Sequence, residues 1–554
     1  MKKGSAMRNV ISIFALCLPV TLLYGQFFWN PVVFDDIYFF DGSVHEQYLN
    51  KTFSLDLRWL PYATLEWTRS LFGLDLIGFR VGNLALHLAT TITLFLFLRR
   101  LFECILPANQ SNEGLSPHWL AFFGALIFAV HPASVYAAGY LIQRSTLMAT
   151  LFVLLTWRLF LEGLLREKYC WLLASCGTYF LAVFSKEHAI MAPSVTIALL
   201  LLVNNQSMRQ RLVLIWPTFV LYGLIGGFVI FQIKSRHVLG QAYEPIAANY
   251  LSMLGSDFDE RMAYPLSMLT QSFLFFKYLW VWLVPSPAWM SVDMPQAFAQ
   301  RLWSWPEIAG LIGFIAYPII AFRLLLQKGI KGLLGFALLC PWLLFFTELS
   351  TIRIQEPFVL YRSYLWMAGA FAALPFLCQK LNAKQAAITL TCVAVFMMPL
   401  SWLRLTTFSH PLLLWDDAAQ KVENGNEKLL GIDRILYNRG SELVRVKHYA
   451  EAVEDLTKVI DSKGYYVGYA YQNRGSAYLE NGQYLLALSD ITKALELLSV
   501  NKVKLYLGKA RALEGLNDKT AAMEAYKQAC TLGSSIACQK MESLESPNNF
   551  LLHP

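Results

Sequence analysis

The feature that most constrains this chain is a series of apolar runs of bilayer-crossing length that recur up to residue 402 and then stop. An α-helix rises 1.5 Å per residue, so roughly 20 apolar residues cross a hydrocarbon core of about 30 Å. In lipid every backbone polar group must be satisfied within the segment, which makes each run a helix. Runs lie near residues 10–28, 79–98, 117–135, 145–164, 168–184, 189–204, 212–232, 303–324, 332–349, 363–378 and 385–402, giving about eleven spans. A further run at 267–284, "SMLTQSFLFFKYLWVWLV", would place the basic "QKGIKG" loop outside if it crossed, so it reads as re-entrant or interfacial. Composition agrees: 56% of residues are hydrophobic and 15% charged. The mean hydropathy is +0.43, outside the range of soluble globular chains.

The net charge of +8 is spread over short loops, with no basic stripe interleaved with aromatics of the kind that holds nucleic acid. It reads as a topology signal. Basic turns at Arg99 and Arg100, at Arg158, Arg166 and Lys168, at Arg209 and Arg211, at Arg323, Lys328 and Lys331, and at Lys380 and Lys384 fall on the cytoplasmic side with the N-terminal "MKKGSAMR". The first run is long and "LYGQ" is a poor cleavage site, favouring an uncleaved span over a signal peptide. An odd number of crossings puts the C-terminal part outside, which in a bacterial chain means an inner-membrane protein with a periplasmic C-terminal domain.

That C-terminal part repeats itself. "YNRGSELVRVKHYAEAVEDLTKVI" aligns with "QNRGSAYLENGQYLLALSDITKAL", taking Asn438 to Asn473, Gly440 to Gly475 and Tyr449 to Tyr484, and a degenerate third copy follows. The interval and the small-residue positions resemble tetratricopeptide repeats, whose paired helices stack into a solenoid. The chain thus divides into a membrane domain over 1–405, a linker over 406–430 and about three repeats over 431–545. The membrane domain carries a first external loop at 29–78 and a large external loop at 233–302. Cysteines 17, 170, 176, 340, 378 and 392 fall in apolar runs as small hydrophobes, and Cys104 lies in a cytoplasmic loop. Cys530 and Cys538, in "ACTLGSSIAC", are either a disulfide or two buried thiols.

On this topology five polar clusters share the outer face. Asp35 and Asp36 follow the first span; adjacent carboxylates repel, which raises the proton affinity of one and suits a general base. The alternative is a pair of interfacial charges capping a helix. Arg144, Lys186, His188, Arg353 and Arg362 concentrate positive charge suited to a phosphate, although each alone also fits a snorkelling cation. Glu187 either fixes this cluster or adds a second carboxylate to the site, and His131 with Pro132 either serves the site or kinks and caps the third span. There is no P-loop, no dinucleotide fingerprint and no zinc spacing. A divalent cation on the aspartate pair would draw on Glu187 and Glu356, and no metal is assigned. A donor used on the outer face is expected to be lipid-linked.

The order of "FDD", "LRWLPYATLEWTRSLFGLDLIGFRVGNLALHLATTITLFLFLRRL", "AVHPASVYAAGYLIQRSTLMA", "SKEHAI", "YRSYLW" and "WDDAAQKV" before the repeats resembles the transmembrane and tetratricopeptide-repeat-containing O-mannosyltransferases, and more broadly GT-C glycosyltransferases. The resemblance covers nearly the whole chain, although the neighbours of Arg144 differ and the repeats are fewer. It implies Asp35 and Asp36 as the catalytic acidic pair, functional roles for His131, Pro132, Lys186 and Glu187, and Arg362 with Tyr361 as the late tyrosine-rich motif. It also implies a polyprenyl-phosphate sugar as donor and a protein Ser/Thr hydroxyl as acceptor, a pilin or another exported protein. Two other readings stay open: the same chemistry onto a lipid-linked glycan or lipopolysaccharide, and a non-catalytic scaffold that works through its repeats.

Overall fold

The computed structural model describes residues 2–40, 53–106, 114–203, 208–242, 244–255, 258–423 and 429–545, so parts of the first external loop and of the expected linker lie outside the described residues. Among the described residues every regular element is helical. Two units result: residues 1–244 with 257–414, and residues 245–256 with 415–554.

The first unit begins with α1 (Lys2–Gly25), the short α2 (Asp36–Phe40), α3 (Trp59–Phe72), α4 (Leu76–Ile105), α5 (Pro117–Val130), α6 (Val135–Ala138), α7 (Arg144–Arg166), α8 (Tyr169–Ser185), α9 (Ala192–Val203) and α10 (Met208–Ser235). After α11 (Ala247–Met253), which belongs to the second unit, come α12 (Ala263–Leu283), α13 (Glu307–Leu326), α14 (Gly329–Phe345), α15 (Leu360–Met367), α16 (Leu374–Leu377) and α17 (Ala383–Thr407). Local chemistry sets several boundaries. Asp75 caps α4 by accepting from the Ile77 amide at 3.1 Å, and Asn382 with Gln385 forms a capping box on α17.

Among the described residues seven helices are long and apolar enough to cross a membrane. An eighth is reached if α5 and the Pro132–Ala138 segment, bent by 55° at His131-Pro132, form one span. The other three of the eleven expected runs are helical but short or broken: α8, residues 187–203, and the 360–377 stretch, which a 3-10 turn splits into α15 and α16. The run expected to be re-entrant or interfacial is the single unbroken helix α12, with no reversal inside it and its one proline, Pro265, in the first turn.

Residues 406–430 were expected as a linker. Instead α17 runs to Thr407 and α18 (Pro411–Glu423) follows at once, with Trp415, Ala418 and Ala419 buried. The apolar spacing of "LLLWDDAA" builds a helix face. Residues 245–256, from the segment expected as a large external loop, belong to the repeat unit, where Tyr250 is buried and donates to Asp433 at 3.1 Å.

The repeats are antiparallel pairs: α19 (Ile432–Arg445) with α20 (Tyr449–Asp461), α21 (Val467–Glu480) with α22 (Tyr484–Leu497), and α23 (Lys502–Gly515) with α24 (Lys519–Thr531), closed by α25 (Ser535–Glu545). Ala452, Ala487 and Ala522 recur at one position, each fully buried where the paired helices meet. A Cβ on Gly440 or Gly475 would lie 2.9 Å from Leu456 or Ile491, so only glycine fits these crossings. Arg439 clasps Asp455, and Arg474 clasps Asp490, with both guanidinium arms, the second pair at 2.8 and 3.0 Å. Cys530 and Cys538 form a disulfide joining α24 to α25.

Candidate active site

The aspartate pair is fixed from below. After α1 the chain turns through Phe34 in a left-handed conformation, φ 52°, and enters α2. Phe39 and Phe40 of α2 sit edge-on against Phe79 of α4, at 5.9 and 4.9 Å between ring centres. Arg80 reaches across the same turn and donates to the carbonyls of Asn30, Pro31 and Gly139.

This anchoring separates the two carboxylates. Asp36 is 1% exposed, and its Oδ1 accepts from the Ile142 amide at 2.8 Å. Its Oδ2 has no hydrogen-bond partner among the described residues. Burial pushes the Asp36 carboxyl up to about 7, with a smaller push from Asp35, against the opposing pull of the Ile142 and Leu141 amides and Arg80. Asp35 is only partly buried, and its backbone amide donates to the Tyr140 hydroxyl at 3.0 Å.

The second half of the site forms where α8 stops. Lys186 is extended and breaks the helix, and residues 187–191 continue as a 3-10 turn, placing Lys186, Glu187 and His188 at the break between two apolar helices. Lys186 Nζ donates to Thr146 at 2.8 Å and to Gln143 at 3.1 Å, and lies 4.8 Å above the Tyr361 ring. Burial brings the Lys186 ammonium down to about 7, helped by Arg58 and Arg362. His188 Nε2 is 3.1 Å from Glu348, which also faces Arg362 at 3.0 Å and Arg353 at 3.4 Å. Arg353 reaches Glu244 at 3.2 Å, and Arg362 reaches Glu356 at 3.4 Å.

Tyr361 connects the halves. Its hydroxyl donates to Glu356 at 3.3 Å, and burial, Asp35, Asp36 and Tyr361 all act to hold the Tyr140 hydroxyl in its protonated form. The Tyr140 hydroxyl thus feels both aspartates and Tyr361, and the Lys186 ammonium lies over the Tyr361 ring.

Two sequence expectations change. Lys186, His188, Arg353 and Arg362 converge as expected, but Arg144 does not join them. It is 2% exposed and brackets the scaffold: Nε donates to Asn83, Nη1 to the Thr64 carbonyl and Thr68 hydroxyl, and Nη2 to the Phe79 carbonyl. With those donors occupied at 2.8 to 3.0 Å, it holds α3, α4 and α7 together. The cluster is also not a surplus of positive charge, because Glu187, Glu244, Glu348 and Glu356 stand against Arg58, Lys186, Arg353 and Arg362. Glu187 is clasped by both arms of Arg58 and lies 3.6 Å from His188, so it fixes the cluster.

His131 and Pro132 take the kinking and capping position. His131 is 1% exposed, accepts from the Ala133 amide at 3.1 Å and stacks on Trp282 at 4.3 Å, while Trp282 donates to Ser363 at 2.9 Å. It therefore ties α5 to α12 and α15. Arg58, Glu244 and Glu348 escaped the sequence reading. Glu348 carried a usable signal, a carboxylate closing an apolar run in "LLFFTELS", whereas Arg58 and Glu244 sit in ordinary polar loops. Among the described residues no group of three or more His, Cys, Asp or Glu is placed to hold a metal ion.

In the second unit, residues 468–497 and 503–532 match the tetratricopeptide repeat model. These are the α21–α22 and α23–α24 pairs, so the third copy, degenerate to the eye, carries the pattern as well as the second.

Proposed function

We propose that the first unit is a GT-C type glycosyltransferase that moves a sugar from a polyprenyl phosphate to a Ser or Thr hydroxyl of an exported protein, at the outer face of a bacterial inner membrane. The observation that carries this reading is Asp36: a buried carboxylate with one unpartnered oxygen and a proton affinity near neutrality, in the same unit as the Lys186, His188, Arg353 and Arg362 group. A general base works best when its pKa lies near the working pH.

Asp36 Oδ2 accepts the proton of the acceptor hydroxyl as that oxygen attacks the anomeric carbon. The bond from that carbon to the phosphate oxygen breaks, and the lipid phosphate departs with the electron pair. A single displacement inverts the anomeric centre. Lys186 and the Arg353, Arg362 and His188 group receive the phosphate charge, which competes with Glu348 for the same donors. Asp35, more exposed, orients the acceptor.

The tetratricopeptide repeats favour a protein acceptor over a lipid-linked glycan, because such solenoids commonly bind protein. The Cys530–Cys538 disulfide supports an oxidising compartment for that unit. The test is transfer by the full-length Asp36→Asn and Asp35→Asn proteins. Wild-type rates in both single variants and in the double variant would overturn the mechanism and favour a scaffold.

A further inference from the structure

We propose that the bare glycine face of α10, at Gly223 and Gly227, forms the entry for the isoprenoid tail of the donor, so that these residues set which lipid phosphates the site accepts. The inference rests on the glycosyltransferase reading and adds a specificity determinant to it. A cavity of about 920 Å³ runs beside α10. One end is polar, where Arg58, His188, Arg353 and Thr351 face it, and the rest is mainly apolar and aromatic.

Glycine inside a helix costs about 1 kcal/mol relative to alanine, so a cluster of three needs a reason. In this unit the usual reason is close packing: a Cβ on Gly335 or Gly369 would lie 2.2 or 2.6 Å from a neighbour. At Gly223 and Gly227 of α10 that reason fails. A Cβ on either meets nothing within 4 Å, whereas one on Gly226 meets the Tyr179 hydroxyl at 3.1 Å and Ile190 at 3.8 Å. All three line the cavity. What the missing side chains leave is room along an apolar wall.

A second, independent observation points to a ligand. Thr351 is 4% exposed, and its Oγ1 has no hydrogen-bond partner among the described residues although it lines the same cavity. A buried hydroxyl left unpaired is costly, and an anionic oxygen at the polar end would satisfy it. Tyr179 and Tyr222 have their hydroxyls engaged, with the Ile190 carbonyl at 3.0 Å and Ser175 at 2.8 Å, so they offer ring surface to the cavity. A cavity apolar along one helix, with Arg58, His188, Arg353 and the unpaired Thr351 hydroxyl beside Glu187 among its polar lining, fits a single-tailed lipid phosphate whose charge competes with the carboxylates for these donors.

The test is binding to the full-length protein in detergent, read by native mass spectrometry with a C55 polyprenyl phosphate, geranyl phosphate and phosphatidylglycerol as probes. Gly223→Leu with Gly227→Leu is expected to raise the Kd for the C55 lipid at least tenfold and to leave geranyl phosphate within twofold. Gly223→Ala with Gly227→Ala, which adds only methyl groups, gives a smaller rise in the same order. Gly177→Leu, on α8 where a Cβ also meets nothing within 4 Å, leaves all three unchanged. Wild-type affinity for the C55 lipid in the double leucine variant would overturn the proposal, as would phosphatidylglycerol binding the wild type as tightly as the C55 lipid. Because no transfer is measured, a catalytic failure of Asp36 leaves this result standing, and glycine variants that bind the C55 lipid normally sink the tail proposal alone.

Discussion

Replacing Asp36 by Asn removes the charge at nearly constant shape, and the structure gives the change two opposite signs. With the carboxyl at about 7, roughly 9% is ionised at pH 6 and roughly 91% at pH 8, so wild-type kcat should rise about tenfold across that interval. The Asn variant loses the base, and its kcat should fall by about 10²- to 10⁴-fold and become flat over the same range. Stability moves the other way. The unfolded carboxyl ionises near about 4 and the folded one near about 7, so the folded state holds the extra proton between those values. Stability is therefore lost as pH rises through that window, by up to about 4 kcal/mol, and Asn escapes the loss. Melting of the detergent-solubilised protein should show Asp36→Asn more stable than wild type at pH 8, with the gap narrowing to about 1 kcal/mol at pH 5. A variant with a wild-type pH step in kcat, or one less stable than wild type at pH 8, would refute the assignment of Asp36 as a buried base held at a cost.

Other expectations follow from the same contacts. Lys186 loses its charge as pH rises through about 7, so donor KM should increase above neutrality in wild type, and Lys186→Met should show a raised KM without that pH step. Glu348→Ala leaves Arg353 and Arg362 facing each other in a buried site, with an expected loss of about 3–5 kcal/mol seen as a lower melting temperature or lost expression. Arg144→Gln should lower stability by about 2–4 kcal/mol and leave the donor KM of the folded fraction unchanged, because its donors serve the scaffold. Cys530 and Cys538 should resist alkylation until reductant is added, and the Cys530→Ser variant should lose about 2–3 kcal/mol in the repeat unit.

What could be read from the sequence follows the range of the interactions involved. The repeats were legible because the 35-residue interval reappears as packing: Gly440 on Leu456, Gly475 on Ile491, and the buried Ala452, Ala487 and Ala522. The apolar runs placed the long helices of the first unit but not α2 or α3, and hydropathy did not reveal that residues 360–377 break into pieces or that α12 is continuous. The boundary between the two units falls inside the expected linker, at Leu414 and Trp415, but the helix there is not evident from "LLLWDDAAQKV", which is short and mixed in polarity. In the site, Asp36 stood out as a charge at the end of a span, but its difference from Asp35 depends on the Ile142 amide, 106 residues away. The basic residues were visible one by one. Their neutralisation by Glu244 and Glu348, and the withdrawal of Arg144 into the scaffold, depend on contacts 61 to 109 residues apart in sequence or on a carboxylate hidden at the end of a helix.

The central claim is that this chain transfers sugar to protein hydroxyls through Asp36. Intact-mass and peptide mass spectrometry of exported proteins, from cells carrying the wild-type chain, the Asp36→Asn chain or no copy, tests it most directly. The wild-type chain should leave a sugar-sized increment on Ser or Thr of at least one exported protein, and the increment should be lost in the other two. The same increment at the same occupancy in all three would contradict it.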